Sequence, residues 1–240
     1  MLLVYPDKLG SNFKIKMILD YLNHPYTYDI NDDYDIVFNS SLAPLHRFGL
    51  NTDKFVINGR CNNVLKDYVD RVWGDVYGCC LTVNPLIHKG YCIEKPLTQG
   101  TNSGNVILCP HEKSQDKIYL RWVDTRDENG SLNDYRVVIC DGEIVLVLIK
   151  KKQYDSFFSF DMKNFIQRPW EELFSVTEKN HILEFSDIVG LDFGEIDVLR
   201  SNFDGKIYVV DVNNLSGYGY FRDKEYVHYL SNIFKRAYLS

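Results

Sequence analysis

The chain has 240 residues, 45% of them hydrophobic and 14% aromatic, which is ample for a core in one large domain or in two or three small ones. Its net charge of −6 argues against a nucleic-acid partner, which needs a basic face. No apolar run approaches the roughly 20 residues of a membrane span, and the opening MLLVYPDKLG lacks the basic flank and long apolar region of a secretory signal, so a cytoplasmic location with no membrane partner is expected.

In chain order, Leu2–Tyr5 reads as a short apolar strand. Asn12–Leu22 carries Phe13, Ile15, Met17, Ile18, Tyr21 and Leu22 as a helical stripe, with Ser11 as the candidate cap. Tyr26–Ile30, Asp35–Phe38 and Lys54–Ile57 are strand-like, and the strand–helix–strand order suggests a small, partly parallel α/β unit. Asn62–Tyr77 is amphipathic and stops at Gly78. Leu81–Val83, Gly90–Lys95, Val106–Cys109 and Ile118–Trp122 follow as strands. Tyr135–Cys140 and Glu143–Ile149 flank Asp141-Gly142 as a hairpin, while Asp161–Phe165 and Trp170–Phe174 are weakly patterned. Lys179–Val189 and Asp223–Tyr238 read as helices. Boundaries near residues 60 and 124 follow from the change in element type, since no linker or repeat is visible.

The six cysteines show no paired spacing and sit mostly among apolar neighbours, as reduced, buried thiols do. No CxxC-type zinc spacing, P-loop, GxSxG elbow or kinase HRD or DFG set occurs.

Two segments carry chemistry. In GYCIEKPLTQGTNSG, Gly90–Gly104, a strand delivers Lys95 to a loop of Gly, Thr, Asn and Ser. A lysine at a strand end beside exposed backbone N–H groups suits phosphate oxygens. In Gly190–Gly219, two strands place Asp197, Asp211 and Asn213 within reach of one another. Two carboxylates and an amide oxygen on rigid strands suit Mg²⁺, which binds a few protein oxygens and completes its shell with phosphates and water. A three-residue loop, Phe203-Asp204-Gly205 with Gly205 left-handed, sets Asp197 opposite Asp211 and Glu195 opposite Asn213. On that reading Ile207, Val209, Asp211 and Asn213 share one strand face.

These two motifs, in this order and with these flanks, resemble the ATP-grasp superfamily of carboxylate–amine ligases, over roughly residues 55–220. The likeness is to uncharacterised bacterial members more than to any ligase of known substrate. It implies an α+β ATP-grasp fold: two α+β subdomains clasping ATP, preceded by a small Rossmann-like α/β unit. The units would span residues 1–60, 61–124 and 125–240. It implies ATP contacts from Lys66, Lys95, Gly100, Thr101 and Ser103, from Trp122, Val123 and Asp124 at the adenine–ribose hinge, and from Lys150 in the run Lys150–Lys152. Arg136, in Asp134-Tyr135-Arg136-Val137, would act with Lys95 in catalysis by orienting an acyl phosphate. Asp197, Asp211 and Asn213 would hold one or two Mg²⁺ ions, with Mn²⁺ as a substitute. Two departures stand out: position 211 is Asp where most relatives have Glu, and the segment after Asn213 reads Asn-Leu-Ser-Gly in place of a small residue, Ser/Thr, Pro and Gly.

The reaction implied is an ADP-forming amide or peptide ligation between an amine and a small-molecule or peptide carboxylate. A phosphotransferase acting on a hydroxyl, and a non-catalytic nucleotide-binding protein, are the alternatives. A homodimer is allowed.

Overall fold

Leu2–Tyr5 (β1), Ile36–Asn39 (β3) and Phe55–Ile57 (β4) are nearly continuous apolar runs, the pattern of parallel strands covered on both faces. In the computed structural model, which describes residues 1–97, 104–152, 165–217 and 224–239, they pair in parallel with Tyr26–Thr27 (β2) in the order β2-β1-β3-β4. Leu3 and Val37 face a small cluster with Leu45 and Leu50, and Leu2, Val4, Phe38 and Ile57 face the interior of the molecule. The second expected strand is thus only Tyr26–Thr27.

Helix α1, Lys14–Tyr21, has Phe13 at its N-cap with no side-chain cap, so Ser11 does not play that part. Its start is held by backbone contacts to a distant segment. The Lys14 N–H donates to the Ser216 carbonyl at 3.1 Å, and Phe13 forms an antiparallel bridge with Gly217.

Helix α2 spans Lys66–Tyr77 and begins four residues later than the amphipathic pattern. The Asn63 Oδ1 accepts the Leu65 N–H at 3.0 Å, a local turn that competes with helix. Its Asp70 carboxylate accepts the N–H groups of Leu81 and Thr82 at 2.7 and 2.8 Å. The Leu81 donor is thereby lost to pairing, and the expected Leu81–Val83 strand is a bridge between Thr82 and Leu120, held by Arg121 N–H on the Leu81 carbonyl at 2.8 Å and Val83 N–H on the Tyr119 carbonyl at 2.9 Å.

Gly90–Pro96 (β5), Asn105–Cys109 (β6) and Lys117–Arg121 (β7) form an antiparallel sheet ordered β6-β5-β7. The larger antiparallel sheet runs β10-β9-β8-β11-β12, from Leu132–Cys140 (β8), Glu143–Lys152 (β9), Phe165–Arg168 (β10), Phe193–Arg200 (β11) and Ile207–Asn213 (β12). Asp141 and Gly142 both take positive φ and turn β8 into β9, as expected. Trp170–Glu172 forms one 3-10 turn. Helix α3, Val176–Val189, starts earlier than predicted because Ser175 and Glu178 close a capping box.

One face of the large sheet (Val137, Ile196, Val198, Ile207, Val209 and Val212) packs on Val69 and Trp73 of α2 and Ile182 and Phe185 of α3. The opposite face meets α1 and the last helix, α4 (Lys224–Tyr238): Val138, Leu146, Leu148 and Phe193 pack against Ile15, Ile18, Tyr226, Leu230 and Phe234. That second cluster also takes in Leu2, Val4 and Phe38, so the N-terminal sheet and the large sheet share one core.

Cys61, Cys92, Cys109 and Cys140 are buried free thiols, whereas Cys79 is half-buried and Cys80 exposed. Among the described residues no helix is long and apolar enough to cross a membrane.

Candidate functional site

The hairpin β11–β12 positions the acids by a route that differs from the expected one. Its loop has four residues, Asn202–Gly205, closed by Ser201 N–H to the Lys206 carbonyl at 2.9 Å. Gly205 is left-handed at φ +69°, as the loop requires. Pairing runs Arg200–Ile207, Leu199–Tyr208 and Val198–Val209, and then resumes at Asp197–Asp211 and Glu195–Asn213. Val210 is therefore an extra residue on β12, a β-bulge.

The bulge shifts the strand phase. Ile207, Val209 and Val212 are the core residues, so Asp211 and Asn213 lie on the other face, not on that of Ile207 and Val209. The expected register partners hold, and the expected face set does not. Gly194 allows the strand ends to come this close: a Cβ there would sit 2.5 Å from the Asn213 carbonyl oxygen.

The side chains that share this face form a buried charge cluster. Arg136 on β8 lies opposite Asp197 in register and holds it through both nitrogens of a fork, Nε to Oδ1 at 2.8 Å and Nη2 to Oδ2 at 3.0 Å. Lys150 on β9 donates to Oδ2 of the same carboxylate at 2.7 Å. The third guanidinium nitrogen, Nη1, lies 3.2 Å from Glu195 Oε2. Glu195 in turn makes an ion pair with Lys14 of α1. Arg136 is thus no surface residue. It is buried at 8% exposure, beside Glu195 at 0%.

Burial tends to neutralise each of these groups, and the neighbours decide the outcome. Burial works to raise the Asp197 carboxyl, but Arg136 and Lys150 overcome it and hold the group far below the usual carboxylate range. Burial pushes Lys150 down, against the attraction of Asp197. Lys14 is pushed well down, first by burial and then by the Arg136 charge. Asp211 moves the other way. Burial and the Asp197 charge raise its carboxyl, and Lys66, Lys95 and Arg136 oppose them. The Asn213 amide donates to Asp211 Oδ2 at 3.3 Å.

The other expected residues divide. Lys66 opens α2 and is buried, and Lys95 lies on β5; both act electrostatically on Asp211. In the lysine run, strand alternation turns Lys150 to Asp197 and Lys151 to Asp127, 2.9 Å away. Val123 is buried in a cluster with Leu120, Ile118 and Tyr208. Trp122 is partly buried, and its backbone N–H donates to the Tyr91 carbonyl at 3.2 Å. Asp124 accepts both Arg126 side-chain nitrogens, Nε at 2.8 Å and Nη2 at 2.5 Å. Gly100, Thr101 and Ser103 lie outside the described residues.

Lys14 and Glu195 entered the cluster without having been singled out as site residues. Glu195 had a signal, because it alternates with Asp197 on one strand face. Lys14 had a fainter one: it stands four residues before Ile18, on the apolar stripe of its helix.

No family model and no curated protein sequence matches the chain. Solved structures do. The ATP-grasp ligase PsnB, complexed with minimal precursor, Mg and ADP, superposes at a TM-score of 0.64 with 14% identity, over 98% of this chain and 97% of that one. The fold is ATP-grasp. A RiPP-associated ATP-grasp ligase of Chryseobacterium gregarium, in complex with ADP and a leader and core peptide, matches at 0.61 with 10% identity, over 98% and 96%. The D-alanine–D-alanine ligase of Bacillus anthracis matches this ATP-grasp chain at 0.57 with 13% identity, over 99% and 97%.

Among the described residues no three His, Cys, Asp or Glu side chains gather as a metal site. The donor set that an ATP-grasp site would offer a cation is smaller: two carboxylates and an amide, which suits an ion that takes phosphate oxygens for the rest of its shell. Two observations fit that ion. The raised Asp211 carboxyl, beside a second carboxylate, is a position where added positive charge is favourable. Asp197 accepts three N–H bonds of the roughly four lone-pair sites a carboxylate offers, which leaves one direction open.

Proposed function

We propose that this protein is an ATP-dependent carboxylate–amine ligase that forms an amide or peptide bond through an acyl phosphate. The observation that carries the proposal is the cluster of Arg136, Lys150, Asp197 and Asp211, with Lys66 and Lys95 acting on the same face. Arg136, Lys150, Lys66 and Lys95 all bring positive charge to the face that carries Asp197 and Asp211, which suits a polyphosphate. Structures of the same fold are described with ADP, Mg and precursor peptides, which supports a nucleotide and a carboxylate-bearing peptide or small molecule as partners.

In this scheme Lys66 and Lys95 bind phosphate oxygens from α2 and β5. Asp211, Asn213 and the open side of Asp197 would hold Mg²⁺. When bound, that ion supplies charge neutralisation at the phosphates. Arg136 and Lys150 orient the phosphoryl group as it passes to an acceptor carboxylate oxygen and ADP leaves. The amine then attacks the acyl carbon, phosphate leaves with the C–O electron pair, and the amine proton is released. Fixed donors of this kind stabilise developing charge without reorganising, and loss of one costs roughly a hundredfold or more in rate.

The test is ADP release across panels of carboxylic acids, amines and alcohols with Mg²⁺ present. Dependence on two co-substrates, one of them a carboxylate, is expected. Release with a single hydroxyl acceptor identifies a phosphotransferase instead, and nucleotide binding without release under any pairing identifies a non-catalytic binder.

A further inference from the structure

The proposed chemistry gives Arg136 a task but does not say what aims it, and it has no use for Lys14 or Glu195. Glu195 is fully buried and Lys14 is 1% exposed, and each comes from a different part of the fold. Burying two charges costs several kcal/mol per ion before their attraction is counted, and hydrophobic residues of similar volume often serve stability as well or better. Stability alone therefore gives no reason for a buried ion pair here.

Its position gives one. A guanidinium held only by Asp197 through Nε and Nη2 can pivot about the Arg136 stem once Asp197 is drawn elsewhere. Glu195 Oε2 lies 3.2 Å from the remaining nitrogen, Nη1, as a buried ion pair. Lys14 fixes Glu195 in turn, and its backbone is itself pinned, with its N–H on the Ser216 carbonyl and Phe13 bridged to Gly217. The chain of contacts runs from the segment after Asn213, through the first turn of α1, to Glu195 and then to Arg136.

We propose that Lys14 and Glu195 are positioning residues for Arg136. They keep its guanidinium aimed when Asp197 turns to a cation, and they couple the seating of α1 on the Ser216–Gly217 segment to the geometry of the phosphoryl site. This inference rests on the ligase reading for the role of Arg136 in phosphoryl transfer, and not for the order of its side chain.

The decisive variant is the double Lys14→Met, Glu195→Leu. It replaces the pair by apolar side chains of similar size and so keeps the fold. The first readout is taken on protein labelled with ¹⁵N-arginine in the presence of ADP and Mg²⁺, where Asp197 is drawn to the cation. The Arg136 Nε–H signal, assigned by its absence from Arg136→Lys, is expected to be sharp and slowly exchanging in the parent. In the double variant it should broaden or be lost, while the melting curve stays cooperative. The second readout is steady-state kinetics with the best acceptor pair: kcat should fall about tenfold to a hundredfold with KM for ATP within about threefold, as expected of a misaimed group. The single variant Lys14→Arg, which preserves the ion pair, should retain both the sharp signal and the parent kcat. An unchanged Arg136 signal in the double variant overturns the proposal whether or not an acceptor is known. Absence of turnover in the parent protein would instead remove the ligase reading and leave the spectroscopic result standing.

Discussion

Asp197 and Asp211 are register partners across β11 and β12 because one residue, Val210, is left over between them and the loop. Without the bulge, the phase set by Ile207 and Val209 would carry Asp211 onto the helix-covered face with Val198 and Trp73. Setting Val210 aside in a bulge therefore keeps Ile207, Val209 and Val212 on one face and Asp211 and Asn213 on the other.

Deleting Val210 should restore regular pairing without moving a core residue. With Ile207 and Val209 inward, Asp211 then falls outward and Val212 inward by plain alternation. The expected outcome is a cooperative thermal transition, followed by circular dichroism, close to that of the parent. Val210→Ala keeps the residue count and should cost only about 1–2 kcal/mol, in line with a partly buried valine truncated to a methyl group. A deletion variant that loses the cooperative transition would show that the bulge does more than absorb one surplus residue.

Asp197→Asn and Asp211→Asn should separate structure from cation binding. The first leaves Arg136 and Lys150 without their shared carboxylate, and breaking a buried pair in that way costs about 3–5 kcal/mol. The second removes a carboxyl whose charged form is disfavoured by burial and by Asp197, so nucleotide-free stability should hold or rise by up to about 1 kcal/mol. Urea midpoints measure both. In the presence of ADP, Mg²⁺ should raise the melting temperature of the parent and not that of Asp211→Asn.

The sequence disclosed the partners in the β11–β12 pair but not the path between them. Alternation and a glycine turn gave Asp197–Asp211 correctly, yet two errors cancelled: the loop is one residue longer than expected, and Val210 is an insertion. A valine bulge has no local signature, since its cause is the burial of Ile207 and Val209 on one side and the acids' environment on the other. The Leu81–Val83 strand failed for a similar reason. Its apolar pattern is real, but Asp70, eleven residues upstream, takes the Leu81 donor that a longer ladder needs. Lys14 was hidden because a lysine on an apolar stripe reads as a surface residue until a buried glutamate is placed opposite it.

Asn58 should prove the most sensitive residue outside the charge cluster. It is fully buried at φ +59°. Its amide donates to the carbonyls of Phe193 and Asn214 at 2.7 and 3.2 Å, and its Oδ1 accepts the N–H groups of Asp192 and Phe193, each at 2.9 Å. One side chain thus ties the end of β4 to both strands of the site hairpin. Asn58→Ala leaves two donors without a partner and strains a left-handed backbone. A loss of about 3–5 kcal/mol is expected from unsatisfied groups at roughly 1–3 kcal/mol each, which lowers the melting temperature by about 10 °C or more in a chain of this size. Asn58→Gly should recover only the backbone part.

Glu178 and Arg200 set a pH dependence that can be read apart from the site. Glu178 closes the capping box of α3 and takes Arg200 Nη1 and Nη2 at 2.8 and 3.0 Å. Burial acts to raise its carboxyl, but the Arg200 bonds and the Ser175 N–H outweigh it and leave the group below its ordinary value. The folded state therefore binds the Glu178 proton less tightly than the unfolded chain does. Its contribution is fully present above the unfolded glutamate pKa of about 4.3 and is lost as pH falls through the lower folded value. Between pH 7 and pH 3 the parent should lose more stability than Glu178→Gln, and the two urea midpoints should converge toward the acid end. At pH 7 the variant should be weaker by about 1–2 kcal/mol, the range for a capping side chain with a charge-assisted bond. Parallel midpoint curves for the two proteins over that range would show that Glu178 does not titrate differently on folding.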